Sequence, residues 1–489
     1  MIANPEMIAF LNAMDRADTA YFLDLLRDDE ATQRRVMRAR DMHAGRQWVK
    51  LTARLRLFLG DSSKLSDADM LSLNVCHTVI NAMTERLLVR GFDAGAGTAW
   101  AQQVWDANAM NVRQDDLHMT ALRDGVAYLL VDWPDGATLP RFTTHHRYVD
   151  PAYGSDGRGC RVVYENDDPD QPPRYAYKRW TETVYRGGVA YVRYRLTVYY
   201  PDGIERYYSD VAGTAWQPYS DEYGESTQPW VDRTGKPLGI PVIAMRNHGD
   251  DQEARRAWPL QNGLNKTLVD MTQSSDSSAF EKIFTFGWRM VDKDGKPLPI
   301  ESGRVYGTDA QGAGVQVERG ADFTNFLDLL DFYKISAAQV TDTPAARFLI
   351  TRQIASEGTQ MQQDTPLLNK LRKRQVRFGM AYGEALALAA RLQATYGTDA
   401  PADNLTYGVL WEPLEVRNVK NEMNIAKLKR DVLDIPVDVL QAEAGYEDKD
   451  IRKWKAEREA KAAQITQHMT QMQGSANDAT APNNNTLPV

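Results

Sequence analysis

The stretch from Gly239 to Ala338 constrains the fold most, because its hydrophobic pattern alternates between strand-like and helix-like segments. It opens with the apolar run GIPVIA (239–244), which is typical of a buried strand. A helix follows, with one apolar face: Leu260, Leu264, Leu268 and Met271. Short strands punctuated by glycine and proline are predicted between Phe284 and Glu318. A second helix then carries another apolar stripe: Phe323, Phe326, Leu327, Leu330, Tyr333 and Ala337. This order predicts two antiparallel helices joined by a small β cap.

The composition limits the classes of protein to which the chain can belong. A chain of 489 residues is longer than a single domain with one hydrophobic core usually is. Its content of 43% apolar and 25% charged residues indicates a folded protein with a water-exposed surface. The formal charge of −8 excludes a polycation that coats nucleic acid, so any DNA contact is expected to be local. Only Cys76 and Cys160 occur, which argues against a disulfide framework or a cysteine zinc site and favours a reducing cytoplasm. The start of the chain, MIANPE, has no secretory pattern, and no apolar run has bilayer length, so we expect a soluble protein.

The N-terminal part to about residue 125 is predicted to be mostly helical. One helix has an apolar stripe from Leu73 to Leu87, is capped by Asn74 or Ser72, and ends at Gly91. Beyond Gly125 the pattern predicts strands. These are a buried strand at 126–132 and, from Tyr175 to Tyr208, an antiparallel pair that turns at Pro201-Asp202-Gly203.

The C-terminal part is predicted to be helical again. A loop at 341–358 precedes a long helix with a continuous face: Leu371, Gln375, Phe378, Tyr382, Ala385, Ala389, Leu392 and Tyr396. One more strand is expected at 405–411, followed by short helices to about residue 470. The Asn-, Ala- and Pro-rich end of the chain is predicted to be disordered.

Several blocks of sequence occur in the order and spacing of one known family. They are NVCHTVINAMTERLLVRGF (74–92), ALRDGVAYLLV (121–131), GIPVIAMRN (239–247), LQNGLNKTLVD (260–270), TDTP (341–344) and WEP (411–413). Together they resemble the portal proteins of tailed, siphophage-type bacteriophages over about residues 35–465. The chain departs from that pattern at Met42-His43, where an aromatic pair is usual, and at 356–360, where SEGTQ replaces Ser-Gly-Glu-Ala-Leu.

The resemblance implies an α+β, multidomain, portal-like fold. Its expected parts are a wing at 1–255 (helical, then antiparallel β-rich), stem helix 1 at 256–283, a small β clip at 284–320, stem helix 2 at 321–340, a channel (tunnel) loop at 341–358, a long wing helix and strand at 359–413, a helical crown at 414–472 and a disordered tail at 473–489.

The resemblance also implies a function without a covalent step or cofactor. Portal proteins form a closed ring, with twelve copies at one capsid vertex, through which double-stranded DNA is packaged and ejected. The clip would dock the terminase large subunit, which hydrolyses ATP, and then the head-tail adaptor. Major capsid and scaffolding proteins are further expected partners, and no membrane is. The expected location is the virion, after assembly in the host cytoplasm.

Two groups of residues are candidates for contact with DNA. By the resemblance, the channel loop contributes Thr341, Thr343, Arg347, Thr351 and Arg352. A basic cluster at the start of the long helix comprises Lys370, Arg372, Lys373, Arg374 and Arg377. Cationic side chains attract phosphate independently of sequence, which suits DNA that must keep moving. A solvated helix face or intersubunit salt bridges are the alternative for the basic cluster.

The Tyr- and Arg-rich strands at 175–208 have two interpretations. Aromatic rings that stack on bases, with arginines on phosphates, would form a nucleic-acid platform. Cross-strand Tyr and Arg pairs on the exposed face of an antiparallel sheet explain the same composition and are favoured.

Motifs for other chemistry are weak. Gly235-Lys236 and Gly295-Lys296 are each followed by proline, so neither is a phosphate-binding loop and the chain is not expected to be the packaging motor. Neighbouring residues of a strand face opposite sides, so His145 and His146 are not expected to share a metal. The acidic run 167–170 lacks the spacing of a calcium loop and is expected to be solvated. A DNA-acting enzyme such as a nuclease, or another phage head-completion or minor capsid protein, remains the alternative.

Overall fold

The computed structural model describes residues 25–47, 73–165, 168, 170–211, 215–220, 225–278, 282–287, 291, 294, 296, 311–318, 323–349, 357–402, 405–414, 419–443, 450–461 and 463–464. These residues form a mixed helix-and-sheet protein. The chain divides into two compact units, Met1–Leu414 and Glu415–Val489.

The helices of the first unit are α1 (Glu30–Ala44), α2 (Val75–Thr84), α3 (Thr98–Ala107), α4 (Met110–Asp124), α5 (Trp258–Ser278), α6 (Thr324–Val340) and α7 (Glu357–Tyr396). Its strands are β1 (Val89–Asp93), β2 (Val126–Asp132), β3 (Arg141–His146), β4 (Gly159–Tyr164), β5 (Pro173–Arg186), β6 (Val189–Tyr199), β7 (Gly203–Ser209), β8 (Gln217–Pro218), β9 (Thr227–Pro229), β10 (Val242–Arg246), β11 (Lys282–Phe286), β12 (Gly314–Glu318) and β13 (Gly408–Trp411).

Helix α2 begins where the sequence predicts and ends earlier. The side chain of Asn74 caps it by accepting a hydrogen bond from the His77 N–H at 3.0 Å. The helix stops at Thr84, so the prediction that it runs on to Gly91 is wrong. Gly91 instead lies in strand β1, where Val89 pairs with Trp411 of β13. Pairing with a strand more than three hundred residues away overrides the local helical pattern.

The core of the first unit is built around strand β2. Six of its seven residues are buried, as the predicted strand at 126–132 requires. Strand β10 pairs with it on one side and β3 on the other, both antiparallel. Helices α4 and α7 pack against this sheet and cover it. Because the helices exclude water from this strand, its sequence is an almost continuous apolar run.

A second sheet joins strands β4 to β8 in sequence order, with β9 also paired to β7. The predicted turn at Pro201-Asp202-Gly203 connects β6 and β7 and is confirmed. Strands β5 and β6 form a long hairpin closed by Gly187 and Gly188, whose φ angles of 58° and 83° favour glycine. The hairpin extends past both neighbours, since β4 pairs only as far as Arg179 and β7 only to Tyr194.

Residues 239–338 contain a strand, a helix, a β insert and a second helix, in the predicted order. Strands β11 and β12 pair antiparallel, with Lys282 opposite Glu318, so α6 returns beside α5. The helices meet where Tyr333 lies on Gly263, at which an added Cβ would come within 2.7 Å of the ring. Leu264 and Leu268 of α5 are buried, as the predicted apolar face of this helix requires. Leu327, predicted in the buried stripe of α6, is instead 54% exposed.

Helix α7 runs for 40 residues and begins at Glu357, inside the predicted loop 341–358. Six of the eight residues of its predicted apolar face are buried: Leu371, Phe378, Tyr382, Ala385, Ala389 and Leu392. His118 of α4 stacks on Phe378 and lies 2.9 Å from the hydroxyl of Tyr382. The long helix therefore crosses the core of the first unit as its pattern predicts.

The second unit contains α8 (Val419–Leu433), α9 (Val437–Glu443) and a helical stretch at 450–461. The crown was predicted to begin at residue 414, and this unit begins at Glu415. The predicted tail at 473–489 lies outside the described residues. Across the parts of the chain with described structure, no helix is both long enough and apolar enough to cross a bilayer.

Candidate nucleic-acid interface

The first predicted loop residues, Thr341 and Thr343, form the buried end of helix α6. The Thr341 hydroxyl donates to the Ala337 carbonyl at 2.6 Å and lies 3.0 Å from the Thr343 hydroxyl. Asp342 between them has a φ of 52°, and the Thr343 N–H donates back to the Ala338 carbonyl. This is the Schellman pattern of a helix C-terminus. Both threonines are at least 96% buried, so in this conformation their hydroxyls hold the helix end.

Arg347 lies in the short helical turn that follows and is partly exposed. Its guanidinium forms an ion pair with Glu85, which directly follows α2, at 2.9 Å. The side chains of Arg347 and Glu85 are 37% and 54% exposed, so the pair is accessible to solvent. Thr351 and Arg352, the other two predicted loop residues, lie outside the described residues. Among the predicted loop residues that the structure describes, Arg347 thus carries a positive charge at the surface.

The predicted basic cluster of α7 separates into two sets. Lys370 and Arg374 face inward and share one carboxylate, that of Glu253, at 2.8 and 2.9 Å. Glu253 is 6% exposed and Arg374 8% exposed, so this is a buried ion-pair centre. The Lys370 ammonium also donates to the Thr341 carbonyl at 2.5 Å. These two cations therefore join α7 to the end of α6 and to the segment before α5.

The charge state of Glu253 follows from this arrangement. Burial alone raises the pKa of a carboxyl group. The charges of Lys370 and Arg374, and the hydrogen bonds that both donate, outweigh burial and lower the pKa of Glu253 to about 2. The carboxylate is therefore ionised at neutral pH and forms ion pairs with two of the cations for which DNA contact, a solvated helix face or intersubunit salt bridges were the predicted roles.

The other members of the cluster are exposed. Arg372 donates to the Asn369 side chain at 3.1 Å. Lys373 and Arg377 are exposed and form no ion pair with any residue that the structure describes. Three of the five predicted cations thus lie on the outer face of α7, where phosphate could reach them.

An apolar face on α6 is the feature that sequence analysis missed. Leu329, Phe332 and Ile335 are 40%, 59% and 40% exposed. At 100° per residue, Phe332 and Ile335 lie on the side of the helix away from the buried Leu330 and Ala337, and Leu329 lies at the edge of that side. The spacing of three residues between successive members is the sequence signal that could have revealed this second stripe.

The Tyr- and Arg-rich strands pair their side chains with one another. Arg193 bonds Asp210 at 2.8 Å and lies over the ring of Tyr208. Arg195 pairs with Glu182 at 2.9 Å and stacks on Tyr219. The predicted cross-strand pairing is present for these residues, and their guanidiniums are already engaged. The face was predicted to be exposed, whereas Arg195 is buried.

The paired histidines and the acidic run are the remaining candidates for a metal site. His145 and His146 are successive residues of β3, and burial lowers the pKa of His145 to about 3. Within the described ranges, no three His, Cys, Asp or Glu side chains are grouped as metal ligands would be. Part of the acidic run 167–170 lies outside those ranges.

Comparison with known proteins gives no independent assignment. No family model matches the chain, and no curated protein matches it.

Proposed function

We propose that this chain is a portal protein, a ring-forming conduit at one capsid vertex for the packaging and ejection of double-stranded DNA. The observation that carries the proposal is the helix pair α5 and α6, joined by the β11–β12 hairpin. This helix pair and its hairpin occupy the part of the sequence in which the resemblance predicts a stem and a clip. The mechanism is a passage for DNA, with no covalent step by this protein.

The exposed apolar face of α6 supports assembly. A contiguous apolar stripe on a helix that already has a partner is unfavourable in water unless another surface covers it. Ring closure requires a heterologous interface, in which one surface of each copy meets a different surface of the next. Leu329, Phe332 and Ile335 offer one such surface along the predicted stem helix.

The distribution of cations supports a passage to which DNA does not adhere. The chain has a net charge of −8, and among the described residues four of the candidate cations are exposed: Arg347, Arg372, Lys373 and Arg377. Phosphate contacts of this kind are independent of sequence and weaken as salt increases. In the proposed ring, Thr341 and Thr343 fix the base of the channel loop rather than touch DNA.

The partners follow from the same proposal. The β11–β12 clip docks the terminase large subunit during packaging and the head-tail adaptor afterwards, while major capsid and scaffolding proteins surround the ring. The terminase supplies ATP hydrolysis. The protein is then a virion component that is assembled in the host cytoplasm.

Electron microscopy of the purified full-length chain tests the proposal. We expect rings with a central hole that admits a DNA duplex, and monomers or closed shells would refute it. A parallel assay with plasmid DNA and Mg²⁺ tests the enzyme alternative. Cleavage that copurifies with the chain would favour a DNA-acting enzyme over a conduit.

A further inference from the structure

A polar cavity of about 1090 Å³ lies in the first unit, away from the helix pair α5 and α6. Its wall is formed by residues 27–36 at the start of α1, by β2, β4, β5 and β10, and by residues 248–255. Seven arginines and five aspartates line it, a formal charge of 7 − 5 = +2. This local excess of positive charge occurs in a chain whose total is −8.

The aspartates of the wall already have partners within the chain. Asp28, whose side chain is 3% exposed, lies 3.0 Å from Arg147 and 3.3 Å from Arg161. Asp29 caps α1 by accepting from two backbone N–H groups. The remaining pairs are Asp124 with Arg40 and Arg123, Asp250 with Arg246, and Asp251 with Arg255. The carboxylates are therefore engaged, and Asp28 and Asp124 each hold two cations.

Three arginines of the wall form no ion pair with a described carboxylate: Arg27, Arg35 and Arg174. The charge of Arg35 helps to lower the pKa of Asp29, which is otherwise held mainly by hydrogen bonds from Thr32. Arg35 donates through one terminal nitrogen to the Thr32 hydroxyl at 2.9 Å, while its buried Nε has no partner. The Nε of Arg147, a side chain that is only 14% exposed, also has no partner. Buried donors without acceptors are uncommon in folded proteins, because each costs desolvation free energy. The cavity thus presents cationic donors in excess of its acceptors.

We propose that this cavity binds a small, multiply charged phosphate anion. A guanidinium presents a planar fork of N–H donors, and phosphate oxygens accept several such forks at once. The volume is of the order found for small-molecule sites, roughly 300–1,000 Å³. Arg35 and Arg147 supply the inner donors, and the exposed Arg27 and Arg174 add positive charge at the surface. The site is independent of the conduit proposal, because its residues lie on other elements than the predicted stem and channel loop.

Titration calorimetry with sodium pyrophosphate on the full chain at low salt tests the site. We expect saturable binding of one pyrophosphate per chain. Arg35→Gln keeps a polar side chain but removes the guanidinium and its charge, and we expect it to weaken binding about tenfold, as the loss of one charged hydrogen bond does. Arg174→Gln, at an exposed position, should weaken binding in the same direction.

The matched control is Arg34→Gln, one residue along the same helix. Arg34 is 68% exposed, pairs with Glu30 and does not line this cavity. It should bind pyrophosphate as the wild type does. Absence of saturable binding, equal weakening by Arg34→Gln, or citrate binding as tightly as pyrophosphate would each overturn the assignment. Because the assay reports binding in solution whether or not rings form, its failure is distinguishable from failure of the conduit proposal.

Discussion

The ammonium of Lys370 in the long helix donates to the carbonyl of Thr341, the residue that ends α6, at 2.5 Å. The same ammonium lies 2.8 Å from Glu253, five residues before α5 begins. One buried charged centre thus joins the long helix to both ends of the returning helix pair. The packing of α5 and α6 against the rest of the first unit depends on it.

Glu253→Gln is expected to destabilise the protein by about 3 kcal/mol, because breaking a buried ion pair leaves cations without compensation. Both Lys370 and Arg374 lose their carboxylate in this variant. Urea denaturation measures the change in the free energy of unfolding. The control is Asp342→Asn, which removes the exposed carboxylate 3.9 Å from the same lysine. We expect a change within about 0.5 kcal/mol for the control, and equal effects of both variants would contradict the assignment.

Gly263→Ala is expected to lower stability although alanine favours helices. The new Cβ would lie 2.7 Å from the ring of Tyr333, and such overpacking costs about 1–3 kcal/mol. In the helix interior of α7, a Cβ on Gly379 meets nothing closer than 3.6 Å. Gly379→Ala should therefore be neutral or should stabilise by up to about 1 kcal/mol. Thermal unfolding of the two variants compares them, and a stabilised Gly263→Ala would refute the close helix contact.

The buried His118 predicts a loss of stability in acid. Burial lowers the pKa of His118 to about 3, whereas an unfolded histidine titrates near 6.5. The unfolded state therefore binds a proton first, so the stabilisation is complete above about pH 6.5 and is lost as the pH falls towards 3. His118→Gln should reduce the slope of unfolding free energy between pH 6 and 4 by up to about 1.4 kcal/mol per pH unit. The exposed His248→Gln should keep the wild-type slope, and identical slopes for all three proteins would exclude this role.

Phe332→Asp tests whether the apolar face of α6 lies in a subunit interface. A carboxylate introduced into an apolar interface is desolvated without a partner, so rings should be lost while the single chain remains folded. Val112, on α4, is 74% exposed and lies on another surface. Val112→Asp is therefore the matched control and should still form rings. Light scattering and electron microscopy measure assembly, and intact rings from Phe332→Asp would remove this face from the interface.

Arg347→Ala and Arg352→Ala test the channel loop. We expect intact rings with less DNA packaged or retained, because a cation that meets phosphate has been removed. Glu85→Gln breaks the ion pair of Arg347 but keeps the cation, so it should package normally. DNA content per particle is the measurement. Wild-type packaging by the double arginine variant would remove the proposed role.

The secondary structure of the periodic segments was predictable because the spacing of their apolar residues defines which positions are buried. The apolar spacing in α7 identified six residues that are buried, and the apolar run of β2 identified a strand covered on both sides. The end of α2 was not predictable. Strand β1 forms because it pairs with β13. A partner so distant in the sequence produces no local pattern from which the strand could be predicted.

The candidate site was predictable only in part for the same reason. Lys370 and Arg374 look like any basic helix face in the sequence, and only the fold brings Glu253 to them. Thr341 and Thr343 sit at the predicted start of the loop, but their burial depends on how α6 ends. In contrast, the exposed stripe of α6 could have been read from its spacing alone.

The hydrogen-bonded end of α6 fixes where the following segment departs. Thr343 is held by its backbone and lies with Thr341 in a dry environment, and Pro344 comes directly after. Proline restricts φ to about −65°, and Pro344 has a φ of −56°, so one of the two backbone torsions at the exit of α6 is fixed there. The chain beyond Pro344 therefore leaves the helix end from a position that Thr341, Thr343 and Pro344 set together.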